Sequence, residues 1–95
     1  MGCGRVGAAL ADALSRIGHD VAVIDRDPTA FNRLAPEFAG KHVLGMGFDR
    51  EVLLRAGIEG ADALAAVSSG DNSNIIAARV AREMFGVQRV VARIY

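Results

Sequence analysis

Short strand-like segments alternate with helical segments along the whole chain, and no other feature restricts the possible fold as strongly. These segments lie at residues 21–24, 41–44, 63–67 and 90–94, each has the length of a strand, and 21–24 and 63–67 are continuously apolar. Continuously apolar strands are typical of parallel sheets that are covered on both faces. Because strands that alternate with helices of about 8 to 15 residues are joined by right-handed crossovers, the sequence predicts a doubly wound parallel α/β sheet.

Capping residues predict where the helices begin and end. Gly18 is suited to the left-handed end of a first helix. The Asp27-Pro28 pair predicts the start of the second helix, since Asp accepts from free N–H groups and Pro has no N–H to leave unpaired. Asp49 predicts the start of a third helix and Gly57 its end.

Large apolar side chains recur with the helical period in the first and fourth helices. In the first helix, predicted over residues 5–17, and in the fourth, which ends at Gly86, they share one face. We expect that face to pack on the sheet. The side chains are Val6, Leu10, Ala13, Leu14 and Ile17 in the first helix and Ile75, Ile76, Val80 and Met84 in the fourth.

Composition places the chain among small packed domains. Its 95 residues, 52% hydrophobic and 23% charged, support one core and no second module. Eleven basic residues balance eleven acidic ones, so there is no overall positive field to hold nucleic acid. The apolar segments are far shorter than the roughly 18 residues that a membrane span requires. The single cysteine, Cys3, predicts no disulfide and favours a cytoplasmic location.

Both ends of the chain are unusual for a doubly wound domain. The sequence opens directly on a glycine turn and closes directly after a strand, so we expect residues 1–95 to be a single domain truncated at both ends. The first strand is expected before Gly2, at the centre of the sheet. Without it the neighbouring strands lose a pairing partner, which predicts low stability for the isolated chain.

The segment from Gly2 to Gly7 reads G-x-G-x-x-G, the fingerprint of a Rossmann-like nucleotide site. Gly2 permits a tight turn, Gly4 lets backbone N–H groups approach a diphosphate, and Gly7 lets the helix pack close to the sheet. The helix dipole favours an anion at the same place. A glycine turn that serves packing alone is the alternative interpretation.

Asp25 follows the next predicted strand, where an acid accepts hydrogen bonds from the ribose hydroxyls of adenosine. The alternative is a solvated turn residue. A ribose-binding carboxylate would repel a 2′-phosphate by up to about 4 kcal/mol at roughly 4 Å, so we expect NAD or another adenosine nucleotide rather than NADP. Arg26 weakens this discrimination, because its guanidinium could pair with a 2′-phosphate or lie against adenine.

Other polar residues are expected near the same crevice. Arg5, in the first helical turn, opposes the helix dipole unless a phosphate or an acidic neighbour compensates for it. The loop at residues 68–72 follows a strand, at the edge where open α/β sheets bind their ligands, although helix capping is an alternative role. Arg93 closes the last predicted strand and could reach the crevice or a partner.

No catalytic acid or base stands out beside this expected site. His19 and His42 lie at the opposite edge of the predicted sheet, Tyr95 is terminal, and Cys3 has neither a nearby base nor further metal ligands. The sequence therefore predicts binding rather than turnover. The alternative is an NAD-dependent oxidoreductase whose catalytic part lies beyond Tyr95, because dehydrogenases share the fingerprint.

Several motifs together resemble the N-terminal nucleotide-binding domain of Trk-type potassium-uptake regulators, the KTN or RCK domain. They are GCGRVG at the first helix, VIDRD after the next strand, a G-x-x-x-D turn from Gly45 to Asp49, AGIEGADALAAVSSGDNSN, and the closing VARIY. The resemblance spans nearly the whole chain. One departure is Met46, which stands where the family carries an acid, so a polar contact to adenine is not expected there.

The resemblance implies a cytoplasmic regulatory domain, peripheral to the cell membrane, that binds NAD(H) or ATP/ADP and is not itself an enzyme. It also implies a homodimer or larger ring beneath a membrane subunit that translocates potassium. The phosphate loop would contact the diphosphate together with Arg5, and Asp25 would hold the ribose. The full set of expected nucleotide-binding residues is Gly2, Cys3, Gly4, Arg5, Val6, Gly7, Asp25, Arg26, Ser68, Ser69, Asp71, Asn74 and Arg93.

Overall fold

The computed structural model describes residues 1–94, and Tyr95, at the end of the closing motif, lies outside the described residues. The helices and strands are α1 (Arg5–Arg16), β1 (Ala22–Asp25), a first 3-10 helix (Pro28–Arg33), β2 (Lys41–Leu44), α2 (Arg50–Ala56), a second 3-10 helix (Ile58–Gly60), β3 (Ala63–Ala66), α3 (Asp71–Phe85) and β4 (Arg89–Ala92). The predicted α/β alternation is confirmed. Among these described helices, none has the length and apolar character needed to span a membrane.

The strands form two parallel pairs. β1 pairs with β2, placing Val23 opposite His42, and β3 pairs with β4, placing Leu64 opposite Val90. Met1 and Gly2 connect the pairs: the Met1 amino group donates to the Ala65 carbonyl at 2.9 Å, and the Gly2 N–H donates to the Ile24 carbonyl at 2.7 Å. These two residues therefore bridge β1 and β3 in the position where a strand preceding Gly2 is expected.

Helices cover both faces of the strands, as a doubly wound fold requires. Successive residues of a strand point to opposite faces. Accordingly Val23 belongs to one buried cluster and Ile24 to another. The cluster on the α1 side contains Cys3, Ala8, Ala11, Val23, Ala30 and Leu34, whereas the α2 and α3 side contains Ile24, Val43, Val52, Leu53, Ile58, Leu64, Ala66, Ala77, Ala81 and Val87.

Local capping follows the sequence closely. The Asp27 carboxylate accepts from the Thr29 N–H at 3.0 Å with Pro28 at the first helical position, although the helix that follows is a 3-10 helix. Asp49 accepts from the N–H of Glu51 at 2.8 Å and begins α2. Gly57 ends that helix with a φ of 92°, in the left-handed region that favours glycine. These predicted boundaries are confirmed.

The predicted core face of α1 is wrong. Gly7, Ala8 and Ala11 face the sheet, while Val6 and Ile17 remain 44% and 72% exposed. The reason is the short distance between helix and backbone: a Cβ atom on Gly7 would lie 1.8 Å from the Gly2 carbonyl oxygen. Only small side chains fit this contact, so the larger apolar side chains lie on the outside.

The predicted core face of α3 is wrong as well. Ala77 and Ala81 are completely buried against β3 and β4, together with Asn74. Ile75, Ile76 and Met84 are exposed, and of the four predicted side chains only Val80 packs against the core. Helical periodicity identified both helices correctly but assigned the sheet-facing side to the larger residues.

Candidate functional site

A cavity of about 450 Å³ opens at the carboxyl ends of β1, β2 and β3. This is the edge at which open α/β sheets bind their ligands. The cavity is lined by Met1, Gly2, Gly4, Ile24, Asp25, Arg26, Asp27, Ala30, Arg33, Gly45, Met46, Gly47, Phe48, Ser68, Ser69, Gly70 and Ser73. Its walls therefore combine the glycine loop, the turn after β1, the turn after β2 and the loop after β3.

The glycine loop presents the start of α1 to this cavity. Gly4 is the N-cap residue, no side chain caps the helix, and its first turn has no acidic residue. The N–H groups and the positive end of the helix dipole thus lie beside the cavity, an arrangement that favours a bound anion. Gly2 has a φ of 99°, and a Cβ there would lie 2.6 Å from the Ser68 nitrogen, so the turn requires glycine.

Asp25 closes β1 and its carboxylate faces the glycine loop. Oδ2 accepts from the Cys3 N–H at 2.8 Å, and Oδ1 accepts from the Asp27 N–H at 2.9 Å. Each oxygen keeps a second lone-pair direction for a further donor. The carboxylate therefore fixes the loop and the turn relative to each other, and at the wall of the cavity it can also accept from ligand hydroxyls.

Asn74 holds the loop that follows β3. Its side chain is completely buried; Oδ1 accepts from the Ser68 N–H at 2.9 Å and from the Ser68 hydroxyl at 2.7 Å. Its Nδ2 donates to the carbonyls of Ser68 and Arg93, each at 2.9 Å. All the polar atoms of the amide are engaged by the protein, so Asn74 positions the serine loop and the end of β4.

Six of the predicted nucleotide-binding residues line the cavity: Gly2, Gly4, Asp25, Arg26, Ser68 and Ser69. Seven do not: Cys3, Arg5, Val6, Gly7, Asp71, Asn74 and Arg93. A direct side-chain contact at Arg5, Asp71 or Arg93 stays a prediction.

The remaining four residues outside the lining are Cys3, Val6, Gly7 and Asn74. Gly7 serves helix packing, and the Asn74 amide is used within the protein as described above. Val6 lies on the exposed side of α1. Cys3 is completely buried, and desolvation, followed by the nearby Asp25 carboxylate, raises the pKa of its thiol.

Sequence reasoning missed part of the lining. Gly45, Met46 and Gly47 follow β2, the neighbour of β1, and that strand order is the signal that could have placed this turn in the site. Arg33 had no comparable signal. It lies at the end of the first 3-10 helix, eight positions after Asp25, and only the path of the chain brings it to the cavity.

The charged side chains of the lining are two acids and two bases: Asp25, Asp27, Arg26 and Arg33. The pKa of Asp27 is lowered mainly by its hydrogen bonds from Thr29, with a smaller contribution from Arg33. Within residues 1–94, no three His, Cys, Asp or Glu side chains gather as a metal site. The lining thus offers N–H donors and cations for a phosphate and carboxylate acceptors for hydroxyl groups, a set suited to a phosphorylated sugar.

Comparison with known proteins places this geometry in a family. The family model of the TrkA-N domain matches residues 1–95. The chain belongs to the TrkA-N family. Its parallel strands, its helices on both faces and its glycine loop are those of a Rossmann-like TrkA-N domain.

Individual relatives agree with the family match. A Trk system potassium uptake protein TrkA of Streptomyces coelicolor is 72% identical over 95 residues, which are the whole chain and 43% of that relative. The TrkA of Azorhizobium caulinodans is 38% identical over 98% of the chain and 20% of the relative. A TrkA homologue of Methanothermobacter thermautotrophicus is 34% identical over 99% and 43%. This TrkA-N chain therefore spans less than half the length of these relatives.

Proposed function

We propose that this TrkA-N chain is the nucleotide-sensing part of a regulatory protein of a potassium uptake system, and that its ligand is NAD(H) or ATP/ADP. The observation that carries the proposal is the uncapped start of α1 beside a cavity whose wall holds Asp25. The names of the relatives, potassium uptake proteins of the Trk system, support the physiological role.

The diphosphate of the nucleotide would lie against the N–H groups at the start of α1. A hydrogen bond to a charged group is worth about 1.5–3 kcal/mol, so two such bonds supply much of a micromolar affinity. Gly4 leaves the diphosphate free to approach these N–H groups. Apart from Gly4 and its two chain neighbours, no protein atom lies within 4 Å of the place that a Cβ would occupy.

The adenosine part would extend from the glycine loop toward β2. The ribose hydroxyls would donate to the Asp25 carboxylate, which already accepts from two backbone N–H groups that fix its orientation. Beyond it the cavity is lined by Arg26 and by Met46, which offer a planar cation and an apolar contact to the adenine ring.

The role proposed for the bound nucleotide is regulation, not chemical conversion. A nucleotide that binds one state of an assembly more tightly than another shifts the population toward that state. The exposed apolar sides of α1 and α3 support assembly into a homodimer or a larger ring, and the membrane subunit that translocates potassium would be the partner. This function would place the chain in the cytoplasm, at the inner face of the cell membrane.

Calorimetric titration of the protein, expressed from its own gene, with NADH, NAD, ATP and ADP tests the proposal. We expect binding of at least one of these nucleotides and its loss in Asp25→Ala. Absence of binding to all four at millimolar concentration would refute the proposal. Substrate-dependent oxidation of NADH by the same preparation would instead favour an oxidoreductase.

A further inference from the structure

Arg33 lines the cavity, and the proposed function assigns no role to its positive charge. Its Nη1 donates to the Cys3 carbonyl at 3.4 Å, near the long limit of a hydrogen bond. The N–H of Cys3 donates to the Asp25 Oδ2 atom at 2.8 Å. Arg33 and Asp25 thus contact the carbonyl and the N–H of Cys3, which places a positive charge at the glycine loop.

The Arg33 guanidinium has capacity for a ligand. The bond to Cys3 engages one nitrogen, and the planar group carries several other N–H donors. The carboxylates of the cavity do not pair with it: no ion pair within 4.0 Å joins Arg33 to Asp25 or Asp27. A guanidinium in a cavity, without a paired carboxylate, is suited to bind a phosphate.

The positive charge of Arg33 also acts on two neighbouring side chains. It lowers the pKa of Asp27 and counters the desolvation that raises the pKa of Cys3. Its positive charge therefore acts on the glycine loop, at Cys3, and on the turn after β1, at Asp27. A phosphate at the start of α1, or one on the ribose beside Asp25, would lie within reach of this field.

Resting on the proposed nucleotide site, we propose that Arg33 is a further binding residue that recognises a phosphate group of the adenosine ligand. The phosphate has two possible sources, the 5′-diphosphate and a 2′-phosphate on the ribose, and both present the same chemistry to a guanidinium. If Arg33 binds the 2′-phosphate, it offsets the repulsion by Asp25 and the site accepts NADP as well as NAD.

The test compares Arg33→Gln with wild type in the protein expressed from its own gene, using ADP and adenosine as probes. If Arg33 binds the diphosphate, we expect the variant to bind ADP about tenfold more weakly and adenosine, followed through displacement of ADP, less than twofold more weakly; if it binds the 2′-phosphate, NADP takes the place of ADP as the weakened ligand. Arg16→Gln is the matched control, since Arg16 is an exposed arginine at the far end of α1 and does not line the cavity. It should leave both affinities unchanged.

Two further measurements separate the contributions. Arg33→Lys keeps the charge and should recover most of the ADP affinity. Titration with NAD and NADP identifies the source: a loss confined to NADP assigns the 2′-phosphate, and an equal loss assigns the diphosphate. Equal losses for ADP and adenosine would show that Arg33 only supports the loop, and would overturn the inference. A wild-type protein that binds no nucleotide would refute the proposed function itself.

Discussion

A methyl group added at Gly4 should weaken nucleotide binding without loosening the fold. Gly4 has φ −78° and ψ −163°, values that alanine adopts without strain, and no protein atom lies within 4 Å of the new Cβ. Replacing Gly by Ala at a compatible position stabilises a protein by about 0.4–1 kcal/mol through the unfolded chain. The unfolding midpoint of Gly4→Ala should therefore stay the same or rise.

Binding should weaken because the open space beside Gly4 belongs to the cavity. The residue lines the cavity, so the methyl group occupies space that the diphosphate needs to reach the N–H groups of α1. Loss of one charge-assisted hydrogen bond, worth about 1.5–3 kcal/mol, lowers the affinity by roughly tenfold to hundredfold. Calorimetric titration with ADP measures the dissociation constant directly.

Two other glycines serve as controls. Gly60 also has open space at its Cβ position and no positive φ, but it lies in the second 3-10 helix outside the cavity, so Gly60→Ala should keep or slightly raise the stability and leave the affinity unchanged. Gly7→Ala should unfold the domain, since its Cβ would lie 1.8 Å from a backbone oxygen, far inside the roughly 3.5 Å of a normal contact. Relieving that overlap costs about 3 kcal/mol or more, a large part of the stability of a small domain.

Full ADP affinity in Gly4→Ala, with the protein folded, would refute the placement of the diphosphate at the start of α1. An equal loss of affinity in Gly60→Ala would refute it as well, because the effect would then come from glycine replacement in general. Circular dichroism on each variant separates loss of fold from loss of the site.

Two further perturbations test the supporting structure. Asp25→Asn replaces one of two acceptor oxygens by a donor, so it should lower the free energy of unfolding in urea by about 1–3 kcal/mol and abolish ADP binding in titration; an unchanged free energy of unfolding would show that the two backbone bonds contribute nothing. Asn74→Leu removes the buried amide that bonds to the Ser68 backbone and to the Arg93 carbonyl, so it should destabilise the fold by about 2–4 kcal/mol in urea, whereas the exposed control Asn72→Leu should not.

Much of the local structure follows from short-range chemistry in the sequence. Asp49 and Gly57 bound α2 because a carboxylate next to free N–H groups, and a residue without Cβ at a left-handed position, act within one turn of the chain. The positions of the strands also follow from short runs of residues, with β2 at the predicted residues 41–44. The motif at Gly2 to Gly7 and the acid at Asp25 likewise predict two walls of the cavity.

Contacts between distant parts of the chain decided the rest. Hydrophobic period alone placed the large side chains of α1 in the core, but the close contact between Gly7 and Gly2 admits only small residues, so Val6 and Ile17 are outside. Asn74 was expected at the ligand, yet its amide is used completely by Ser68 and Arg93. Arg33 reaches the glycine loop only because the first 3-10 helix packs beside α1. Spacing along a sequence determines which residues share an element, whereas the distance between packed elements determines which side chains fit and which of them meet.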